Sequence, residues 1–97
     1  MVITDIRFRK TFDEGTLRAV LSVTFDGCFA LHDIKIISSA DRLFVAMPSR
    51  KDENGIFRDI AHPIYAEARE ELEKEILDAY EKYLALDKVM KEEDFSS

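Results

Sequence analysis

Hydrophobic and polar residues alternate with period two through the first part of the chain. Val2, Thr4, Ile6 and Phe8 interleave with Ile3, Asp5, Arg7 and Arg9, the pattern of a half-buried strand over residues 2–10. Asp13-Glu14-Gly15 marks a turn, after which Leu17, Ala19, Leu21, Val23 and Phe25 alternate against Arg18, Ser22 and Thr24, a second strand over 17–25. Asp26-Gly27 is a strong hairpin signal, because a two-residue turn needs positive φ at both positions. A third strand is predicted from Cys28 to residue 37, and it changes phase. Phe29 and Leu31 are apolar on odd positions, Ile34 and Ile36 on even ones. A strand keeps one face inward through such a change only by inserting a residue, so a bulge is predicted near His32-Asp33.

Residues 38–42 read as a polar loop, Leu43–Met47 as a short apolar strand stopped by Pro48, and Ile56–Ile60 as a fifth strand. From Ala66 the period becomes helical. Ala68, Leu72, Ile76, Ala79, Tyr80 and Tyr83 recur at spacings of three or four and make one apolar stripe on a helix over 66–83. Glu67, Glu70 and Glu71 sit in its first turns, where the helix dipole favours carboxylates, and Glu70–Lys74 and Asp78–Lys82 have ion-pair spacing. The expected fold is therefore α+β: a small antiparallel β-sheet of about five strands with one long C-terminal α-helix packed on one face. Ile6, Phe8, Leu21, Val23, Leu72, Ile76 and Tyr80 form its predicted core. Residues 1–84 make the domain, and 85–97 an acidic C-terminal extension.

Ninety-seven residues suit a single domain with one modest core. The lone Cys28 excludes an internal disulfide and suits a reducing, cytoplasmic setting. The start of the chain has no signal-peptide pattern, and no window has the roughly 20 apolar residues of a membrane span. His32 and His62 lack the spacing of a metal site, and the three glycines each fall at a turn. His62 precedes Pro63, where an extended residue leads into the helix. These residues provide no nucleophile with a base and no ligand cluster, so neither catalysis nor a metal or cofactor is predicted.

Charge changes the picture further. The net charge is −6, yet residues 1–62 hold nine basic and nine acidic side chains, and the whole excess lies in 63–97. Binding to nucleic acid would therefore need a local patch. The best candidate is the Asn54-Gly55 hairpin. With a two-residue loop, Lys51 faces Arg58 and Arg50 faces Asp59, so two cations stand side by side where like charges ordinarily disfavour pairing. Arg7, Arg9, Lys10 and Arg18 form a second basic group, which also reads as ordinary charge protection of an edge strand.

The segments ITDIRFRK, GTLRAVLSVTFDGCF, LHDIKII, LFVAMPSRK and FRDIAHPI, with Arg69 after them, occur here in an order and spacing that resemble the stage V sporulation protein G (SpoVG) family over about residues 1–83. The resemblance implies a small sheet with a C-terminal helix, forming a homodimer through β-strand pairing. It implies a site-specific DNA-binding regulator, with RNA as a further target, connected with septation, sporulation or wider gene regulation. It places the binding determinants on Arg50 and Lys51 and on nearby cations such as Arg58, with Arg69 among the secondary candidates. Glu67, Glu70 and Glu71 make the helix start more acidic than a DNA-facing element should be. A rival expectation is a protein-interaction module whose strand-paired dimer presents the acidic helix and tail to a basic partner.

Overall fold

The computed structural model describes residues 2–96, with side chains described through Asp87. Six strands precede one helix: β1 (Ile3–Thr11), β2 (Leu17–Phe25), β3 (Phe29–Ser39), β4 (Arg42–Ala46), β5 (Ser49–Lys51), β6 (Phe57–Asp59) and α1 (Ala66–Ser96). The α+β class is as predicted. The strands do not form one five-stranded sheet, however. β1 to β4 form an antiparallel meander in the order β1-β2-β3-β4, while β5 and β6 form a separate two-stranded ladder. Pro48 separates the two. It is buried, and it lacks the N–H that would carry β4 on as a ladder strand.

One face of the meander is apolar because cross-strand partners share a face. Ile6 pairs with Val23 and Phe8 with Leu21, Leu21 then meets Ile34, and Ile36 links Ala19 to Val45. Helix α1 covers this face with Leu72, Ile76 and Tyr80, all buried as predicted. Phe8 reaches the helix with its ring 5.9 Å from Tyr80 and 4.9 Å from Tyr83. Ile6 and Phe8 are only half-buried, because β1 lies at the sheet edge.

The bulge predicted at His32-Asp33 is present. The β2–β3 register slips between Leu21 and Val23, and Asp33 takes a φ of 62°. Ser22, buried beside the bulge, bonds His32 Nδ1 through its Oγ at 2.8 Å. A bulge that alternation did not predict lies near Thr4, where β1 also slips; Ile3, not Val2, packs against the core and Val2 is exposed.

Two turns also differ from expectation. β3 starts at Phe29, not Cys28: the Cys28 amide donates to Phe25 O, so Cys28 closes the Asp26-Gly27 turn and is exposed. The polar stretch 38–42 is no loop but a tight hairpin in which Ser39 faces Arg42, with Ala40 at φ 49° and Asp41 at φ 63°. The helix continues beyond Tyr83, the predicted end. Among its ion pairs, Lys74 reaches Asp78 at 3.7 Å, whereas the predicted spacing placed Glu70 with it. Among the described residues no helix is long and apolar enough to cross a membrane.

Candidate nucleic-acid interface

The β5–β6 hairpin stands clear of the core, with all six ladder residues exposed. Its register is Ser49–Asp59, Arg50–Arg58 and Lys51–Phe57, one residue away from the two-residue-loop prediction. The turn explains the shift. Asp52 N–H donates to Ile56 O at 2.8 Å and Gly55 N–H to Asp52 O at 3.0 Å, so Glu53, Asn54 and Gly55 make a three-residue loop. Gly55 alone takes the left-handed conformation, at φ 81°, as a type I turn followed by a one-residue bulge requires. The Asp52 carboxylate selects this turn: its Oδ1 accepts from the amides of Asn54 at 2.9 Å and Ile56 at 3.0 Å.

The shift rearranges the charges. Arg50 and Arg58, not Lys51 and Arg58, are the like-charged pair, standing opposite each other on one face. Asp59 faces Ser49, so the predicted Arg50–Asp59 ladder pair does not form. Lys51 lies on the other face, its Nζ 5.8 Å from the centre of the Phe57 ring. Nor is Arg58 free of carboxylates. Its Nε donates to Asp52 Oδ2 at 2.7 Å, and this bond, with the two amides, holds the Asp52 carboxyl below its ordinary range. Arg58 still leaves 69% of its side chain to solvent, against 24% for Asp52.

The second basic group is dispersed. Arg7 lies loosely against Asp5 at 3.8 Å, and Arg9 falls where the β1–β2 register slips. Arg18 Nη1 donates to Asp13 O at 2.6 Å, tying down the β1–β2 loop. Arg69 pairs with Glu73 along the helix at 3.8 Å. The open face of the meander instead brings Lys10 and Lys35 to either side of Val20, in line with Arg7 opposite Ser22. Lys35 was absent from the predicted groups, although the β2–β3 pairing implied by the Asp26-Gly27 turn would have placed it there.

Other chemistry is sparse. Among the described residues no group of three or more His, Cys, Asp or Glu side chains is placed so that it could hold a metal ion. His62 Nδ1 lies 3.0 Å from Pro63 O. A cleft of about 440 Å³ opens between the start of α1 and the Phe25–Phe29 end of the sheet, bordered by Glu71 and Glu75. Phe29, Ile64 and Tyr65 are exposed around it.

A meander backed by one helix, with a cation-bearing hairpin beyond its last strand, defines a small α+β domain. The SpoVG family model matches residues 1–82, and the chain belongs to the SpoVG family. It is 55% identical over 87 residues to a protein of Clostridium perfringens, covering 90% of this chain and 97% of that one. It is 58% identical over 85 residues to a protein of Acetivibrio thermocellus, covering 88% and 90%. It is 54% identical over 81 residues to a protein of Desulforudis audaxviator, covering 84% and 92%. All three relatives are named "Putative septation protein SpoVG".

Proposed function

We propose that this protein is a dimeric, non-enzymatic nucleic-acid-binding regulator of bacterial septation that grips phosphate backbones with the β5–β6 hairpin. The role in septation follows the names of its relatives. The observation that carries the binding reading is the Arg50–Arg58 pair. The two arginines face each other in the register of an exposed ladder, with Lys51 on the reverse face. Guanidinium groups bond phosphate oxygens in pairs, and a rigid hairpin pre-orients them. The open sheet face with Arg7, Lys10 and Lys35 supplies a second, weaker track for the same backbone.

Fluorescence polarisation with random duplex, single-stranded DNA and RNA across a salt series tests this. Affinity should fall with salt at a log–log slope of about 0.9 per phosphate contacted on duplex DNA. Changing Arg50→Glu and Lys51→Glu together should abolish binding and leave the melting temperature nearly unchanged, because exposed charges contribute little to stability. Equal binding by parent and double variant would move the site away from the hairpin. A second reading has its own observation. The exposed apolar rim and acidic border of the 440 Å³ cleft suit a basic, amphipathic protein segment. Salt-insensitive binding to a protein partner, with none to nucleic acid, would favour it.

A further inference from the structure

Arg58 does not meet an incoming phosphate as a bare cation. In the free protein its Nε already donates to a carboxylate, Asp52 Oδ2, at 2.7 Å. That carboxylate also takes two backbone amides, those of Asn54 and Ile56, through Oδ1. One carboxylate thus gathers a guanidinium N–H and two turn amides, donors of the kind that bind phosphate. We infer that Asp52 is an internal competitor for phosphate at the hairpin, setting the affinity of the site by occupying Arg58 whenever nucleic acid is absent. The inference rests on the nucleic-acid reading of the hairpin and adds a determinant of its strength.

The chemistry has two cases with the same sign. A phosphate that takes Arg58 side-on, through Nε and one Nη, must displace Asp52 and lose its bond. A phosphate that takes the outer edge, through both Nη groups, leaves the bond intact but lies close to a like charge. Either way the ionised Asp52 opposes binding. Arg58 also releases less counterion on binding, because part of its charge is already compensated. A group that penalises every phosphate equally lowers sequence-independent affinity and leaves base contacts to carry a larger share of discrimination.

Asp52→Asn separates this role from the structural one, because asparagine keeps an Oδ1 acceptor for the two amides, while an Nδ2 donor in place of Oδ2 removes both the charge and the acceptor that holds Arg58. Polarisation titrations with a random-sequence duplex of about two helical turns should show Asp52→Asn binding roughly two- to fivefold tighter than the parent. Its salt slope should steepen by up to ~0.9. Asp52→Ser, whose hydroxyl also accepts from turn amides, should gain as well. Glu53→Gln, the same charge change one residue along the turn, should gain less, and in an Arg58→Ala background the Asp52→Asn gain should vanish. A gain from Glu53→Gln equal to that from Asp52→Asn, or one that survives without Arg58, would reduce the effect to net charge and overturn the inference. Weaker binding by Asp52→Asn would also overturn it, making Asp52 a splint that holds Arg58 ready. In both results the parent still binds, and the hairpin reading stands as long as the Arg50→Glu, Lys51→Glu variant loses that binding. If neither parent nor variants bind at low salt, the reading and the inference fall together.

Discussion

Single side chains decide more of this hairpin than its apparent Asn-Gly turn does. Asn54-Gly55 suggests a two-residue loop, yet Asp52 Oδ1 bonds the Asn54 and Ile56 amides and stabilises a three-residue one. That one carboxylate therefore chooses which cation opposes Arg58. Its acidity leads to a pH prediction. The Asp52 carboxyl is held below its ordinary value of 3.8 by Arg58, then by the Ile56 amide, with the Asn54 amide a smaller contributor. A carboxyl depressed in the folded state stabilises above its unfolded pKa and loses that contribution as pH falls through the folded one. The turn should thus stay intact through neutral and mildly acidic pH and loosen only below about 3.8. NMR shifts of the Asn54 and Ile56 amides followed from pH 7 downward provide the check. A midpoint above the ordinary carboxyl value would contradict the Asp52–Arg58 contact.

At the scale of elements, alternation located β1 to β3 because each has an apolar face toward one core, an apolar run ended by Pro48 located β4, and the helical stripe located α1. The phase change at Phe29–Ile36 was enough to predict the bulge at Asp33. The Ala40-Asp41 turn was hidden because Ala40 disfavours the left-handed conformation that both residues adopt. The β3–β4 ladder, not local preference, forces them into it. Ala40→Gly removes a steric cost of about 1–2 kcal/mol and adds part of it back as unfolded-chain entropy. A net gain of about 0.5–1 kcal/mol is expected, a rise in melting temperature of roughly 2–8 °C for a chain this small. Calorimetry showing no rise would mean that Ala40 carries little strain in the folded hairpin.

For the whole molecule, the meander leaves β1 and β4 as edges. β1 carries Arg7, Arg9 and Lys10, charges that discourage edge pairing. β4 carries Leu43 and Phe44, each 39% exposed, and its outer backbone groups face no further strand among the described residues. The proposed two-fold dimer is therefore expected to pair β4 with its symmetry mate. Light scattering at tens of micromolar should return twice the chain mass of 11.2 kDa, and Phe44→Lys should return it to one. A parent that scatters as a monomer would discard strand-paired assembly. A dimer unaffected by Phe44→Lys would move the interface to another surface, such as the apolar cleft beside α1.

What the chain determined by itself was periodic: the segments of β1 to β4 and of the helix, where the core stripe runs, and that Arg50, Lys51 and Arg58 belong to one hairpin. Periodicity is set by geometry common to every strand and helix, so it can be read without knowing what packs on what. Three things were decided only in three dimensions. Pro48 split off the hairpin as its own ladder, Asp52 shifted its register by one, and cross-strand pairing dispersed Arg7, Arg9 and Arg18 while lining up Lys10 with Lys35. Each depends on a hydrogen bond or a partner several residues away or on another strand. A register shift of one residue reverses which side chains share a face. For that reason the hairpin and its cations were legible along the chain, and their geometry only in the fold.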